Sequence, residues 1–352
     1  MSLQDLLAAL AVVVNGLPQG LLALTFGFAA FPTALAFIIG PVGMVLTNQV
    51  APISFQAESI VLAGQMGKDR NERLNIVFFT GIVMSIIGAL GLLEPTIDFI
   101  GPSILNGMMA GVGIILSKVG IEMAKENKIA GGISLITAIL TYFITEDLVY
   151  TIVISVFLSS AIWLFLNRDS EKIEKSDINL EYEKFIPLKI TISPEIIRKV
   201  LGLVTLQVGG NIAYASITGS LANKPVNIDM VTLYSGIADS VSAYFGGGPV
   251  ESIISGTAVA PNPQLSGILM MGIMAVILLA KLLPKIAKYV PNQSIGGFLF
   301  VLGAIVVFPT NIALGLEGSP ILGGVTAIVT SATDPFIGMI AGIFIRFLMG
   351  IF

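Results

Sequence analysis

Long apolar runs, cut at intervals by short polar clusters, proline and glycine, make up nearly the whole chain. A helix that crosses a bilayer takes about 20 mainly apolar residues. On that measure the first half holds seven runs, at roughly 6–31, 33–48, 52–66, 74–93, 100–118, 129–145 and 148–166. A charged stretch at 167–199 follows. Seven more runs come after it, at roughly 200–222, 229–246, 250–262, 264–283, 294–312, 318–331 and 334–352. The third and the tenth are short for a straight crossing. The pattern predicts an all-α polytopic membrane protein.

The two sets of runs echo each other. Run 3 contains Phe55-Gln56-Ala57-Glu58-Ser59-Ile60-Val61, and run 10 contains Gly248-Pro249-Val250-Glu251-Ser252-Ile253-Ile254, so that Glu-Ser-Ile recurs 193 positions apart. Pro102…Leu105-Asn106-Gly107…Gly113 recurs as Pro291…Ile295-Gly296-Gly297…Gly303, offset by 189 or 190. An odd number of spans per copy inverts the second copy in the bilayer. The expected fold is therefore a seven-plus-seven inverted repeat of about 14 transmembrane segments. The first repeat falls at 1–166, the charged linker at 167–199 and the second repeat at 200–352.

Two places cannot continue a helix: Gly246-Gly247-Gly248-Pro249 before Glu251, and Ala51-Pro52-Ile53-Ser54-Phe55 before Glu58. Irregular backbone at membrane depth survives only inside protein or against a wet cavity. Each break is expected as a short strand-like piece followed by a half-helix starting near Glu58 or Glu251. The free N–H groups and positive dipole ends of the half-helices would face a substrate.

Composition narrows the class. Of 352 residues, 55% are apolar and 11% charged, against about 25% charged in soluble domains. A soluble enzyme, a nucleic-acid binder and a disordered chain are excluded. The absence of His and Cys removes disulfides, thiolate nucleophiles, Cys/His zinc sites and imidazole triads. No cofactor or metal is expected, and the chain reads as a non-enzyme. Of 18 Lys and Arg, 16 lie in the loops after runs 3, 5, 7 and 11, and only Lys224 and Arg346 lie elsewhere. The positive-inside rule then puts the odd-numbered loops in the cytoplasm and both termini outside. Met1-Ser2-Leu3-Gln4-Asp5 has no basic n-region, so the first run is expected to remain in the mature protein. Trp163, Tyr142 and Tyr150 suit interfacial anchoring.

Glu251 carries the strongest chemical signal. An acid at mid-bilayer costs about 2.5–3.5 kcal/mol on insertion scales, so one with apolar or small neighbours on both sides points to substrate binding or proton carriage. The alternative is a structural carboxylate satisfied by its own half-helix. Glu58 holds the matching position. Gln207 and Asn211 are four apart, with Tyr214 three further on, and share one helix face. Their carboxamides can read a ring that both donates and accepts, or can serve as glue between helices. Thr25, Phe26 and Gly27 occupy the corresponding place in the other repeat, and Gly27 and Gly209 would allow close backbone approach. Phe55 can stack on a ring or pack. Gly248 and Ser252 flank the acid. Asp239 reads as structural.

At these residues the chain resembles the nucleobase–cation symporter family, the xanthine/uracil permease group, nearest its hypoxanthine/guanine branch. Ile100-Gly101-Pro102-Ser103-Ile104-Leu105-Asn106-Gly107 is similar to that branch's fifth span. Ala51-Pro52-Ile53 and the Glu251-Ser252 pair after a glycine-rich break are similar too. The resemblance implies a fourteen-span fold with core and gate domains, and a base bound among segments 1, 3, 8 and 10. It places the base-binding acid of segment 10 at Glu251, while segment 8 offers Gln207 and Asn211 where the family has a second acid. The resulting expectation is a secondary transporter of a nucleobase, a purine first, in the cell (plasma or inner) membrane. Glu251, Gln207, Asn211, Glu58, Phe55, Thr25, Gly248 and Ser252 would bind the base. Glu251 and Glu58 would carry the coupling proton, with protons expected ahead of sodium. The expected partners are the base, the cation, the lipid bilayer and a second copy of the chain, and no nucleic acid. A transporter of the same fold for a small anion, such as sulfate or a carboxylate, is the alternative. A passive channel or membrane scaffold is a more distant one.

Overall fold

The computed structural model describes residues 2–166, 180–287 and 289–350. Part of the expected charged linker, 167–179, lies outside the described residues, as do Lys288 and the last two positions of the fourteenth run. Helix α1 (Leu3–Thr25) opens on a reciprocal cap: Asp5 N–H donates to Ser2 Oγ at 3.1 Å, and Ser2 N–H to Asp5 Oδ2 at 2.7 Å. It is followed by α2 (Ala30–Thr47), β1 (Ile53–Ser54), α3 (Ala57–Met66), α4 (Arg70–Leu90), α5 (Leu93–Ile100), α6 (Pro102–Glu126), α7 (Lys128–Thr145) and α8 (Leu148–Leu166). Starting within the last residues of the expected linker comes α9 (Pro194–Leu221), followed by α10 (Ile228–Tyr244), β2 (Glu251–Ser252), α11 (Pro263–Leu279) and α12 (Leu282–Ala287). Helix α13 (Gln293–Val301) runs through a π-helical stretch, Leu302–Val307, into α14 (Phe308–Gly318), and α15 (Pro320–Ala332) and α16 (Pro335–Leu348) complete the order.

Local sequence explains most of the ends. Asp69 and Asn127 cap α4 and α7 with their side chains, and prolines stand in the first turn of α6, α9, α11, α15 and α16. Among the described residues seven helices are long and apolar enough to cross a membrane: α1, α2, α4, α6, α7, α9 and the continuous Gln293–Gly318. Shorter apolar helices accompany them. The chain is a multi-pass membrane protein.

The helices gather into two compact units, each drawing on both sides of the linker: Met1–Phe99 with Asn179–Leu283, and Ile100–Ile178 with Pro284–Phe352. In the first unit α10 packs on α4 and α2, α11 on α1 and α2, and α9 on α4. Glycines set the α4–α10 crossing, where a Cβ on Gly236 would lie 2.6 Å from the Gly81 carbonyl oxygen. Met84, Leu93, Ile196, Val200, Val204 and Val208 form a buried cluster between α4, α5 and α9. At one end Lys199 of α9 bridges Glu72 of α4 and Glu195. Lys68 donates to Glu195 at 2.9 Å, which raises its ammonium above the ordinary lysine value.

In the second unit α6 is central, packed by α13, α14 and α15. Gly120 of α6 and Gly296 of α13 face each other, each Cβ position 2.6 Å from the other's carbonyl oxygen. Gly113 meets Gly303 in the same way further along. Glycines of the motif that recurs between the halves thus let neighbouring helices touch backbone to backbone, Gly107 also meeting Gly323 of α15 and Gly297 meeting Ser134 of α7. A hydroxyl cluster ties α7, α8 and α13: Ser134 Oγ donates to the Ser294 carbonyl at 2.6 Å, and the Ser159 and Ser294 hydroxyls lie 2.9 Å apart.

Candidate functional site

The acids of the two chain breaks come together in the first unit. Strands β1 and β2 pair antiparallel, with Ile53 opposite Ser252 and Ser54 opposite Glu251. The short strands expected in runs 3 and 10 are both present. Past β1 the chain enters α3, whose first turn carries Glu58. Past β2 the structure departs from expectation, for no half-helix starts at Glu251. The extended backbone runs on to Ser255, and only a single 3₁₀ turn, Gly256–Val259, follows. The β-branched pair Ile253-Ile254 keeps the chain extended, and Pro261 and Pro263 stop a helix from growing. The site therefore has one helix N-terminus, that of α3.

Glu251 is 3% exposed and Glu58 6%. Gln207 of α9 reaches both Glu251 and Asp239 of α10: its Nε2 donates to Glu251 Oε1 at 3.0 Å and to Asp239 Oδ2 at 2.9 Å. The other oxygen of Asp239 accepts the Val250 N–H at 2.6 Å, fixing the residue just before Glu251. Tyr214, two turns along α9, donates to Glu58 Oε1 at 3.2 Å. Asn211 sits between them, its Oδ1 accepting Ser252 N–H at 3.3 Å and its Nδ2 lying 3.4 Å from the Thr232 and Ser235 hydroxyls. The shared face of Gln207, Asn211 and Tyr214 thus meets both breaks. Glu58 and Glu251 are within electrostatic reach of each other and of Tyr214. Among the described residues, no lysine or arginine pairs with Glu58, Asp239 or Glu251. Glu58 Oε2 and the hydroxyls of Ser54 and Ser252 are buried without a hydrogen-bond partner.

Other candidates sit differently. The Thr25 hydroxyl donates to Leu22 O at 2.7 Å, at the end of its own helix. Phe55 is buried against the Phe37 ring, with centroids 5.3 Å apart, and against Gly20, so its face is used in packing. Gly248 is held at both ends, its N–H donating to Thr33 Oγ1 and its carbonyl accepting from Ser242 Oγ, each at 2.8 Å. Gly27 lies at the α1–α2 turn with φ +81° beside Arg70. Gly210 of α9 faces the site: a Cβ there would lie 3.6 Å from Glu251 Oε2. One contributor was missed, and Asp239, which reads as structural, takes a structural part in the site. Gln19 of α1 accepts the Ala57 N–H at 3.0 Å and so caps α3, whose own cap residue Gln56 makes no side-chain cap bond. Asp239 holds Gln207 and β2 together. A buried glutamine in an apolar helix was the available signal for Gln19.

The fold is shared with solved membrane transport domains. The chain superposes on the transmembrane domain of a cyanobacterium bicarbonate transporter, BicA, with a TM-score of 0.74, 15% identity and 97% of each chain covered. It superposes on SLC26A9 with a TM-score of 0.71 and 13% identity, over 99% of this chain and 65% of that one, so it spans about two thirds of SLC26A9. A murine Slc26a9 anion transporter in the inward-facing state gives 0.60 and 14% identity, over 99% and 67%. No family model matches the sequence, and no curated protein matches it.

These likenesses overturn the resemblance to the nucleobase–cation symporter family and its hypoxanthine/guanine branch. The solved structures that the chain follows along its length are anion transporters. The motifs that carried the resemblance serve the architecture. Pro102 starts α6 and its glycines seat neighbouring helices, Pro52 leads into β1, and the glycines before Glu251 admit Thr33 and Ser242 to the backbone.

Proposed function

We propose that the chain is a secondary transporter that carries a small anion by alternating access, with its binding place at the β1–β2 crossing. The observation that carries this reading is the meeting of one chain break from either side of the linker, paired through Ser54 and Glu251 with Glu58 on the adjoining helix turn. Support for an oxyanion of the size of bicarbonate, sulfate or a short carboxylate comes from the whole-length likeness to BicA and SLC26A9. It also comes from the α3 N-terminus, where the helix dipole favours negative charge.

The carboxylates define how such an ion could enter. An anion beside ionised Glu58 and Glu251 would be repelled, so its entry requires a cation that neutralises them. Protons suit two acids held by Gln207 and Tyr214, with Glu251 as the principal carrier and Glu58 the second. Asn211 and Ser252 would present polar groups to the ion, Gly248, bonded at both ends to Thr33 and Ser242, would shape the backbone before Glu251, and Phe55 and Thr25 would wall the α1 and α3 side. The fold reading is a fourteen-segment inverted repeat, 1–166 and 200–352 around the linker. It is supported by the antiparallel β1–β2 pair and by two compact units that each take one stretch from either half.

The test is uptake by proteoliposomes of labelled sulfate, bicarbonate and short carboxylates, one at a time, with and without an acid-outside gradient. The expected result is accumulation of one of these ions driven by the gradient. Glu251→Gln is expected to abolish accumulation while retaining exchange of the ion across the membrane. Absence of anion uptake, or normal accumulation by the variant, would overturn the reading.

A further inference from the structure

The segment 180–193, which reads as the end of a charged linker, is laid across one end of the first unit and bonded along its length. Ile186 N–H donates to Phe245 O at 3.1 Å and Leu188 N–H to Tyr244 O at 2.7 Å, so the segment pairs with the end of α10. Asn75 of α4 grips it further on, donating to Lys189 O at 3.0 Å and accepting Thr191 N–H at 2.8 Å. The Phe185 ring lies between Phe31 and Phe245, with centroids 4.8 and 5.5 Å away.

Two of its side chains reach further in. Glu183 is 5% exposed, and its two oxygens accept the N–H groups of Ala30 and Phe31 at 2.8 and 2.7 Å. It thereby caps α2, whose cap residue Ala29 has no side chain to do so. The Tyr182 ring covers the Arg70 guanidinium, 4.1 Å from its centroid. Arg70 in turn donates to Gly27 O at 2.8 Å and Gly246 O at 3.0 Å. Both of these glycines have positive φ, and both stand in turns that cross here, with Ala29 N–H donating to Gly246 O. The second turn continues through Gly247, Gly248 and Pro249 directly into β2 and Glu251.

We infer that 180–193 is a clasp, and that Glu183 and Tyr182 are positioning residues for Glu251. Through Arg70 and the α2 cap they hold the 245–249 lead-in against the 26–29 turn, and so fix where β2 begins. The inference rests on the site lying at β2 but not on which ion is carried. Neither residue touches that site.

The test follows amide hydrogen exchange in the purified full chain in lipid nanodiscs, which reads local opening whether or not any ion is transported. Glu183→Ala is expected to speed exchange about tenfold at Ile186 and Leu188, and also at Ala29, Gly247 and Ile253, while the centres of α4 and α10 stay protected. Glu183→Gln, which keeps one acceptor, is expected to restore part of that protection. Faster exchange confined to the segment itself would overturn the proposal, showing a cover rather than a clasp, as would no change anywhere. If Glu183→Ala also exposes the centres of α4 and α10, Tyr182→Ala replaces it, since it removes the ring and leaves the backbone bonds of the segment in place. The same outcomes then decide.

Discussion

Gln207 spends its one amide nitrogen on two acids. Replacing it with leucine removes the donor that Glu251 Oε1 and Asp239 Oδ2 share. An unsatisfied buried polar group costs about 1–3 kcal/mol, and more when charged. Gln207→Leu is therefore expected to lower the thermal unfolding midpoint in detergent and to weaken transport, whereas a leucine at exposed Lys184 should change neither. At this scale sequence reading went partway. It singled out Glu251, Gln207 and Asn211, because polar groups stand out against an apolar background, and the helix period put the last two on one face that meets β2 in the structure. It did not find that Gln19 caps α3 from 38 positions away. Nor did it show that the Thr25 hydroxyl is taken up by its own helix. Those facts belong to long-range geometry, which no local spacing encodes.

Helix ends and the two strand breaks were legible at the scale of elements, because proline, glycine and capping residues act locally. The length of the piece after Glu251 was not. Its sequence permits either a short helix or an extended chain, and the prolines downstream decide. The glycines that recur between the halves suggested a repeat but concealed their use, which is close packing of α6 and α13 on each other and on α7 and α15. Gly296→Ala places a methyl 2.6 Å from a backbone oxygen that cannot swing away. Overpacking of this kind costs about 1–3 kcal/mol and should appear as a lower unfolding midpoint. Gly132→Ala on α7, where nothing lies within 4 Å of the new atom, should be neutral or slightly stabilising. The 180–193 segment carries a pH prediction. Burial raises the Glu183 carboxyl above its ordinary value, opposed by the Ala30 and Phe31 N–H groups and by Lys281 and Arg70. The docked segment then holds a proton more tightly than the free one, so docking is strongest below the ordinary carboxylate range and weakens as pH rises through the raised value. Exchange at Ile186 and Leu188, corrected for intrinsic rates, should accelerate along that rise in the wild type and stay flat in Glu183→Gln.

For the whole molecule, composition alone settled the membrane class, and most of the runs anticipated helices, although the tenth holds a strand and a 3₁₀ turn and the short α5 and α12 were not foreseen. The family was misread because the motifs that carried the resemblance are short and serve helix starts and helix packing. The charge bias still yields a checkable topology. Helix α9 has 28 residues, about 42 Å at 1.5 Å per residue, enough to cross the bilayer. One end carries Lys199 bonded to Glu72 beside Lys68, and the other leads to Lys224. The chain has no cysteine, so Lys68→Cys and Lys224→Cys can each be labelled alone. A membrane-impermeant maleimide applied outside intact cells should react with the second and spare the first.

The β1–β2 contact is only two residues long on each side. In a strand, successive side chains point to opposite faces, so a slip of one position turns every one of them over. Losing or gaining a single residue between Tyr244 and Glu251 would aim the carboxylate away from Gln207 and bring Val250 or Ser252 round in its place. Changes in the length of that lead-in cannot be absorbed, and neither can side chains at Gly246, whose φ is +99°, or Gly247, where a Cβ would lie 2.6 Å from the Thr33 backbone nitrogen. Lineages carrying this site are therefore expected to keep both glycines and the count.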